Sequence, residues 1–162
     1  MEALDASAKK KGVLLLNEIG LDPGLDHCSA MDIIDRIKQS SKSLASFTSF
    51  CGGLPRFEDA ANVPLRYKFS WSPLGVLKAT GNPAKFLLNS QVRFLSPFSR
   101  IRTDLALQMH EVKGEDLLKT VWPHVPISDK IPFEGIPNRD SLQYKDVYGI
   151  SDLSTLVRGT LR

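Results

Sequence analysis

Apolar positions along the chain recur with two different periods, and each change of period marks a boundary between elements. Residues Glu2–Lys11 are rich in helix formers, among them Ala3, Leu4, Ala6 and Ala8, and end in three lysines that suit the negative end of a helix dipole. Gly12 stands where such a helix would stop. The next four residues, Val-Leu-Leu-Leu at 13–16, form an unbroken apolar run, which predicts a strand buried on both faces of a parallel sheet. Helix, glycine and strand together read as the last half of a βαβ crossover, and so as the tail of an α/β domain. Residues 17–27 then read as a strand-to-helix turn, with Asp22 placed as N-cap, Pro23 at the first helical position and Asp26 in the first turn. Ala30, Met31, Ile33, Ile34 and Ile37 follow at helical spacing and predict one buried face.

From residue 43 onward the texture becomes α+β. A strand is expected over 44–50, closed by Cys51-Gly52-Gly53-Leu54-Pro55, whose glycines imply a tight turn or a close backbone approach. Residues 56–65 read as a loop. Tyr67, Phe69 and Trp71 alternate with polar residues as in a half-exposed strand. Ser72-Pro73 has cap-then-proline logic for a helix, which Gly81-Asn82-Pro83 breaks and restarts through Phe86. Strands are expected at 91–95 and 105–112 and a helix at 114–121. The four prolines of 122–137 predict an irregular run, followed by a short helix at 141–148 and a strand at 155–162.

Composition narrows the class without naming a chemistry. With 162 residues, 42% hydrophobic and 24% charged, the chain is composed like an ordinary globular domain with enough length to bury a core. The longest apolar run is four residues, so neither a membrane span nor a signal-peptide core is encoded. Twenty-one basic and 18 acidic residues are interleaved, which argues against a nucleic-acid face and permits a small anionic ligand. Two cysteines, Cys28 and Cys51, and three scattered histidines provide neither a disulfide framework nor a metal site, and a cytoplasmic, reducing setting is the default. Asp22 keeps two readings at this point. One is a helix cap; the other is a carboxylate at the carboxyl end of a parallel strand, where open α/β sheets bind ligands and a proton could be moved.

Five blocks carry a resemblance: Asn-Glu-Ile-Gly-Leu-Asp-Pro-Gly-Leu-Asp-His (17–27), Cys-Gly-Gly-Leu-Pro (51–55), Tyr-Lys-Phe-Ser-Trp-Ser-Pro (67–73), Pro-Asn-Arg-Asp-Ser (137–141) and Arg-Gly-Thr-Leu-Arg (158–162). In this order they resemble the glutamate-forming saccharopine dehydrogenase family, also called saccharopine reductases. The resemblance implies oxidative cleavage of saccharopine to L-glutamate and 2-aminoadipate 6-semialdehyde with NADP, or alternatively NAD, in lysine metabolism. It also implies a Rossmann domain followed by an α+β domain for substrate binding and homodimerisation. No Gly-x-Gly-x-x-Gly occurs in the chain, Arg56-Phe57 replaces the small residues more usual there, and 91–135 carries little resemblance. The expectation is therefore an internal fragment of α+β class, with 1–20 the end of a Rossmann domain and 21–162 part of the substrate domain.

Residue by residue, the resemblance makes Leu21, Asp22, Pro23 and Ser72 cofactor contacts. It makes Asp22, Arg139, Thr160, Leu161 and Arg162 substrate contacts. Saccharopine carries three carboxylates, which a guanidinium grips with two parallel hydrogen bonds where lysine cannot. Asp22 and Cys51 are the candidates for catalytic proton transfer at the reacting nitrogen. The competing expectation is a non-catalytic dimerisation or interaction module on the same fold. A mitochondrial location is the alternative to the cytoplasm.

Overall fold

The computed structural model describes residues 2–69, 71–88, 108–129 and 131–162. The chain divides into two compact units, Met1–Ser41 and Lys42–Arg162. In the first, helix α1 (Glu2–Lys11) forms as its composition predicts, and Gly12 follows at φ 63°, in the left-handed region. The expected strand at 13–16 does not form. Its four apolar side chains are exposed, Leu14 to 78%, and no ladder reaches them among the described residues. An extended segment becomes a strand only where a neighbour supplies hydrogen bonds, which apolar character does not guarantee.

Helix α2 (Leu25–Gln39) begins later than expected, and Asp22 is not its cap. Gly24 holds the N-cap position with no side-chain cap, and the Gly24 N–H donates to the Asp26 carboxylate at 2.7 Å. Asp22 and Pro23, joined by a cis peptide bond, lie in the turn before it. That turn closes through Gly20 N–H to Pro23 O at 3.2 Å and Leu25 N–H to Gly20 O at 2.9 Å. Gly24 has φ 150°, and a β-carbon there would sit 2.8 Å from the Gly20 nitrogen, so this close backbone approach requires glycine and delays the helix. Ala30 and Ile34 are buried but Ile33 is exposed, a narrower stripe than the spacing suggests.

The second unit is α+β around one six-stranded mixed sheet, in agreement with the expected fold class. Its strands are β1 (Ser46–Cys51), β2 (Ala84–Leu88), β3 (Gln108–Val112), β4 (Trp122–Val125), β5 (Phe133–Pro137) and β6 (Thr155–Leu161). Its helices are α3 (Phe57–Ala60), α4 (Pro73–Ala79) and α5 (Tyr144–Tyr148). The strand order is β3-β2-β6-β5-β4, and β1 pairs with β6 in parallel. β1 runs along β6 from Ser46↔Thr155 to Cys51↔Thr160 and so takes one whole edge of it. The other edge is shared: β2 meets β6 at Leu156, and β5 meets it from Gly159 to Leu161, both antiparallel.

β6 is buried on both faces, since its neighbours Leu156 and Val157 point to opposite sides and are 0% and 1% exposed. Each such side chain contributes roughly 1.5–3 kcal/mol by leaving water. One face carries Phe47, Leu156, Arg158 and Thr160, with α5 against it: Tyr148 meets Phe47 at 5.5 Å between ring centroids, and the Tyr144 ring lies under the Arg158 guanidinium at 4.3 Å. The opposite face carries an aromatic row, Phe50, Trp122, Phe86 and His110, with centroids 5.2 to 5.7 Å apart.

Several expectations are corrected here. Residues 84–88 are a sheet strand rather than a restarted helix, because Ala84 and Phe86 bury one side of the segment between β3 and β6. Residues 122–137 contain two paired strands, and Pro123 is tolerated because β4 lies at the sheet edge. Tyr67 and Phe69 pack edge to face at 5.3 Å but belong to no strand among the described residues. Within 56–65, the expected loop holds α3 and the start of a 3-10 turn (Pro64–Arg66), and 114–121 holds a 3-10 helix (Gly114–Lys119). The strand expected at 91–95 lies outside the described residues. No described helix is long and apolar enough to cross a membrane.

Candidate functional site

The parallel pairing of β1 and β6 brings their carboxyl ends to one edge of the sheet. There Cys51 stands directly beside Thr160, and Gly52 lies against Leu161, where a β-carbon would come 2.7 Å from the Leu161 carbonyl oxygen. The glycine at 52 is thus required for the close approach that the Cys51–Pro55 turn suggested. Arg162 follows and is fastened to β5 in two ways. Its backbone exchanges two hydrogen bonds with Glu134, at 2.9 and 3.0 Å, and its Nε donates to the Glu134 carboxylate at 2.9 Å. Alternation along β6 places Arg158, Thr160 and Arg162 on the same side, with Cys51 level with Thr160 on that side too. Of the expected site residues, Cys51, Thr160, Leu161 and Arg162 are therefore brought together. The Cys51 thiol is half-buried, and Cys28 is exposed.

Arg139 stands farther along the same segment. After Pro137 pairs with Gly159, the Asn138 N–H donates to Arg158 O at 3.0 Å. Arg139 O accepts from Lys85 N–H at 2.8 Å, and Ser141 N–H donates to Lys85 O at 2.8 Å. Ser141, 1% exposed, also accepts the Arg158 N–H on its hydroxyl at 2.9 Å. These bonds pin both sides of Arg139, whose φ of 50° is left-handed. Residues other than glycine rarely adopt that conformation, and it persists only where the surroundings enforce it. Arg139 lines a depression of about 380 Å³ with Asn82, Pro83, Lys85 and Asp140. From Glu134, the partner of Arg162, to Arg139 is five residues of extended chain, on the order of 15 Å.

Ser72 caps α4 as its Ser-Pro pattern predicts: its Oγ accepts from Gly75 N–H at 3.1 Å. Its hydroxyl hydrogen is then available for an outside acceptor. Leu21, Asp22 and Pro23 occupy the exposed turn of the first unit. Asn82 and Lys85 line the Arg139 depression and were not singled out by sequence reasoning. Pairing of β2 with residues 139–141 brings them there, and no local pattern announces that pairing.

The arrangement is that of an α+β domain with polar residues gathered at the carboxyl ends of two parallel strands. The family described as "Saccharopine dehydrogenase C-terminal domain" matches residues 20–162. Over the whole chain, "Alpha-aminoadipic semialdehyde synthase, mitochondrial" of Mus musculus is 43% identical, and the match covers 16% of that protein. "Saccharopine dehydrogenase [NADP(+), L-glutamate-forming]" of Saccharomyces cerevisiae is 41% identical over the whole chain and 32% of its own length. The solved apo structure of saccharopine dehydrogenase (L-Glu forming) from Saccharomyces cerevisiae superposes with a TM-score of 0.77 at 41% identity, over 99% of this chain and 32% of that one. The chain belongs to the saccharopine dehydrogenase family. It spans about a third or less of the length of these relatives.

Proposed function

We propose that this chain supplies the substrate-holding part of an enzyme that oxidatively cleaves saccharopine to L-glutamate and 2-aminoadipate 6-semialdehyde with NADP. The observation that carries this reading is the register of β1 against β6, which lines up Cys51, Thr160 and Arg162 on one side of the sheet at the strands' carboxyl ends. Arg162 and Arg139 would each take a carboxylate of the substrate, Thr160 would donate a hydroxyl hydrogen bond, and the main chain at Leu161 would border the ligand. Asp22 and Cys51 would move protons at the substrate's secondary nitrogen and at the water that adds after its oxidation.

In this reading Leu21, Asp22 and Pro23 of the first unit and Ser72 of the second would each be contacts for the nicotinamide end of such a cofactor. Leu21 offers an exposed apolar surface, Asp22 and Pro23 shape the turn beside it, and Ser72 retains a hydroxyl hydrogen to donate. When bound, the cofactor supplies a hydride acceptor. Phosphate groups are ordinarily held at a glycine turn before a helix, and the sequence has no Gly-x-Gly-x-x-Gly. The chain by itself is therefore expected to show no saccharopine-dependent cofactor reduction. In this reading residues 1–20 complete a dinucleotide-binding domain, 21–162 form part of the substrate domain, and the whole enzyme is a homodimer. Its location is the cytoplasm or, as the name of the mouse relative indicates for that protein, the mitochondrion.

A chimera tests the reading: these 162 residues replace the matching segment of the yeast enzyme, and steady-state kinetics are measured. Activity is expected, with Arg139→Lys and Arg162→Ala each raising the saccharopine KM strongly while leaving the cofactor KM near its original value. A folded chimera whose saccharopine KM ignores both substitutions would overturn the assignment.

A further inference from the structure

A row of alternating charges runs into the depression beside Arg139. Lys85 pairs with Glu111 across β2 and β3, and its Nζ lies 3.5 Å from the Glu111 carboxylate. On its other side Lys85 forms a parallel bridge with Asp140, fixed by the two 2.8 Å backbone bonds that flank it. Two strands and the bridged segment after β5 thus set Glu111, Lys85 and Asp140 side by side in register, and Arg139 adds a second cation next to Asp140. Among the described residues no carboxylate lies within ion-pairing distance of the Arg139 guanidinium. Asn82, also in the lining, can both donate and accept. By register, Lys85 shares its sheet face with Leu87 and Leu156, and hence with Thr160 and Arg162.

A site for a bare anion would present cations only, whereas this one presents both signs a few ångströms apart. The ligand group that matches has an ammonium and a carboxylate on one carbon. We propose that the depression lined by Asn82, Lys85, Arg139 and Asp140 is a head-group subsite for an α-amino acid. Arg139 and Lys85 take the carboxylate, and Asp140, with Glu111 behind Lys85, takes the ammonium. This rests on the saccharopine reading and sharpens it. Saccharopine carries a primary ammonium only on its lysine-derived half, so that half points to Arg139 and Lys85, and the glutamyl half points toward Thr160 and Arg162. Lys85 becomes a substrate-binding residue that sets this orientation.

The test is amide-resolved NMR titration of the whole 162-residue chain with saccharopine at up to millimolar concentrations. Two analogues are compared with it, one lacking the lysine-derived α-ammonium and one lacking its α-carboxylate. Saccharopine is expected to shift the amides of Asn82, Lys85 and Asp140. Lys85→Met should weaken it by about tenfold or more, the loss expected for one charged hydrogen bond. Lys85→Arg should restore most of the affinity, and the analogue without the carboxylate should be insensitive to Lys85→Met. Asp140→Asn, which keeps the oxygen that accepts from Leu142 N–H at 2.8 Å, should weaken saccharopine but not the analogue without the ammonium. Saccharopine binding unmoved by Lys85→Met, or equal binding of all three compounds, would overturn the subsite and leave the proposed enzyme function standing. No saccharopine binding by the wild-type chain would overturn the subsite, while the chimera's kinetics still judge the function separately.

Discussion

The ring of Phe50 fills the space that a side chain at Gly159 would occupy, and it reaches Gly135 as well, where a β-carbon would lie 2.6 Å from the ring. An aromatic residue on β1 thus crosses β6 to β5 over two glycines, and packs edge to face on Trp122 at 5.7 Å. Gly159→Ala should cost roughly 1–3 kcal/mol by overpacking, and the melting temperature should fall by several degrees. Phe50→Leu in the same chain should recover part of that loss, since the clash needs both partners. Calorimetric melting of the two single variants and the double variant gives the comparison, and strict additivity would contradict this packing.

Asp22→Asn should leave the melting temperature nearly unchanged. Asp22 is not the cap of α2, whose N-cap is Gly24, and asparagine keeps the size and an accepting oxygen of the side chain. In the chimera, turnover should drop by on the order of 10²-fold or more if its carboxylate moves a proton. A variant that melts several degrees lower but turns over normally per folded molecule would give Asp22 a purely structural role.

Ser72 can be tested for two roles at once. Ser72→Ala removes the oxygen that accepts Gly75 N–H and should cost about 1 kcal/mol. Ser72→Asp keeps an acceptor at the cap and should melt near the wild type, but its added negative charge should raise the cofactor KM in the chimera, because the cofactor is itself anionic. An unchanged cofactor KM for Ser72→Asp would leave the serine as a cap alone.

The Arg162–Glu134 ion pair is half-exposed on both sides, and pairs of that kind contribute about 0.2–1 kcal/mol or less. Arg162→Ala and Glu134→Gln should therefore change stability little, since the backbone bonds between the two residues remain. Their effects on substrate should diverge. In the proposed reading Arg162→Ala removes a carboxylate grip, whereas Glu134→Gln releases the guanidinium from a competing anion. A raised saccharopine KM of equal size in both variants would mean that Arg162 acts only through the pair.

Where local chemistry decides, the sequence was a reliable guide. The cap at Ser72-Pro73 and the strands at 44–50 and 155–162 are all read from neighbours in sequence, and each forms within a residue or two. It misled where pairing decides. The apolar run at 13–16 has the composition of a doubly buried strand, yet that position falls to 155–161, where Leu156 and Val157 find neighbours on both edges and cover on both faces. Residues 84–88 look helical until β3 and β6 flank them. The gathering of Cys51 with Thr160 and Arg162 follows from register across more than a hundred residues, so only the family resemblance could join them from sequence. Lys85 and Asp140 were invisible because their bridge depends on how 139–141 crosses β2.

The central position of β6 governs how the sheet can assemble. Among the described residues, the ladders of β1, of the β2–β3 pair and of the β4–β5 pair are joined into one sheet through β6, and its start is clamped to the residue before β1 by a hydrogen bond between positions 109 apart, Ser154 Oγ to Ala45 O. Closing so long a loop costs entropy that only the completed ladder can offset, and topologies dominated by distant pairings fold slowly. During synthesis on a ribosome β1, the β2–β3 pair and the β4–β5 pair would lack the strand that joins their ladders until positions 155–161 leave the exit tunnel. A nascent chain stalled before that point should remain open to proteases along all of them.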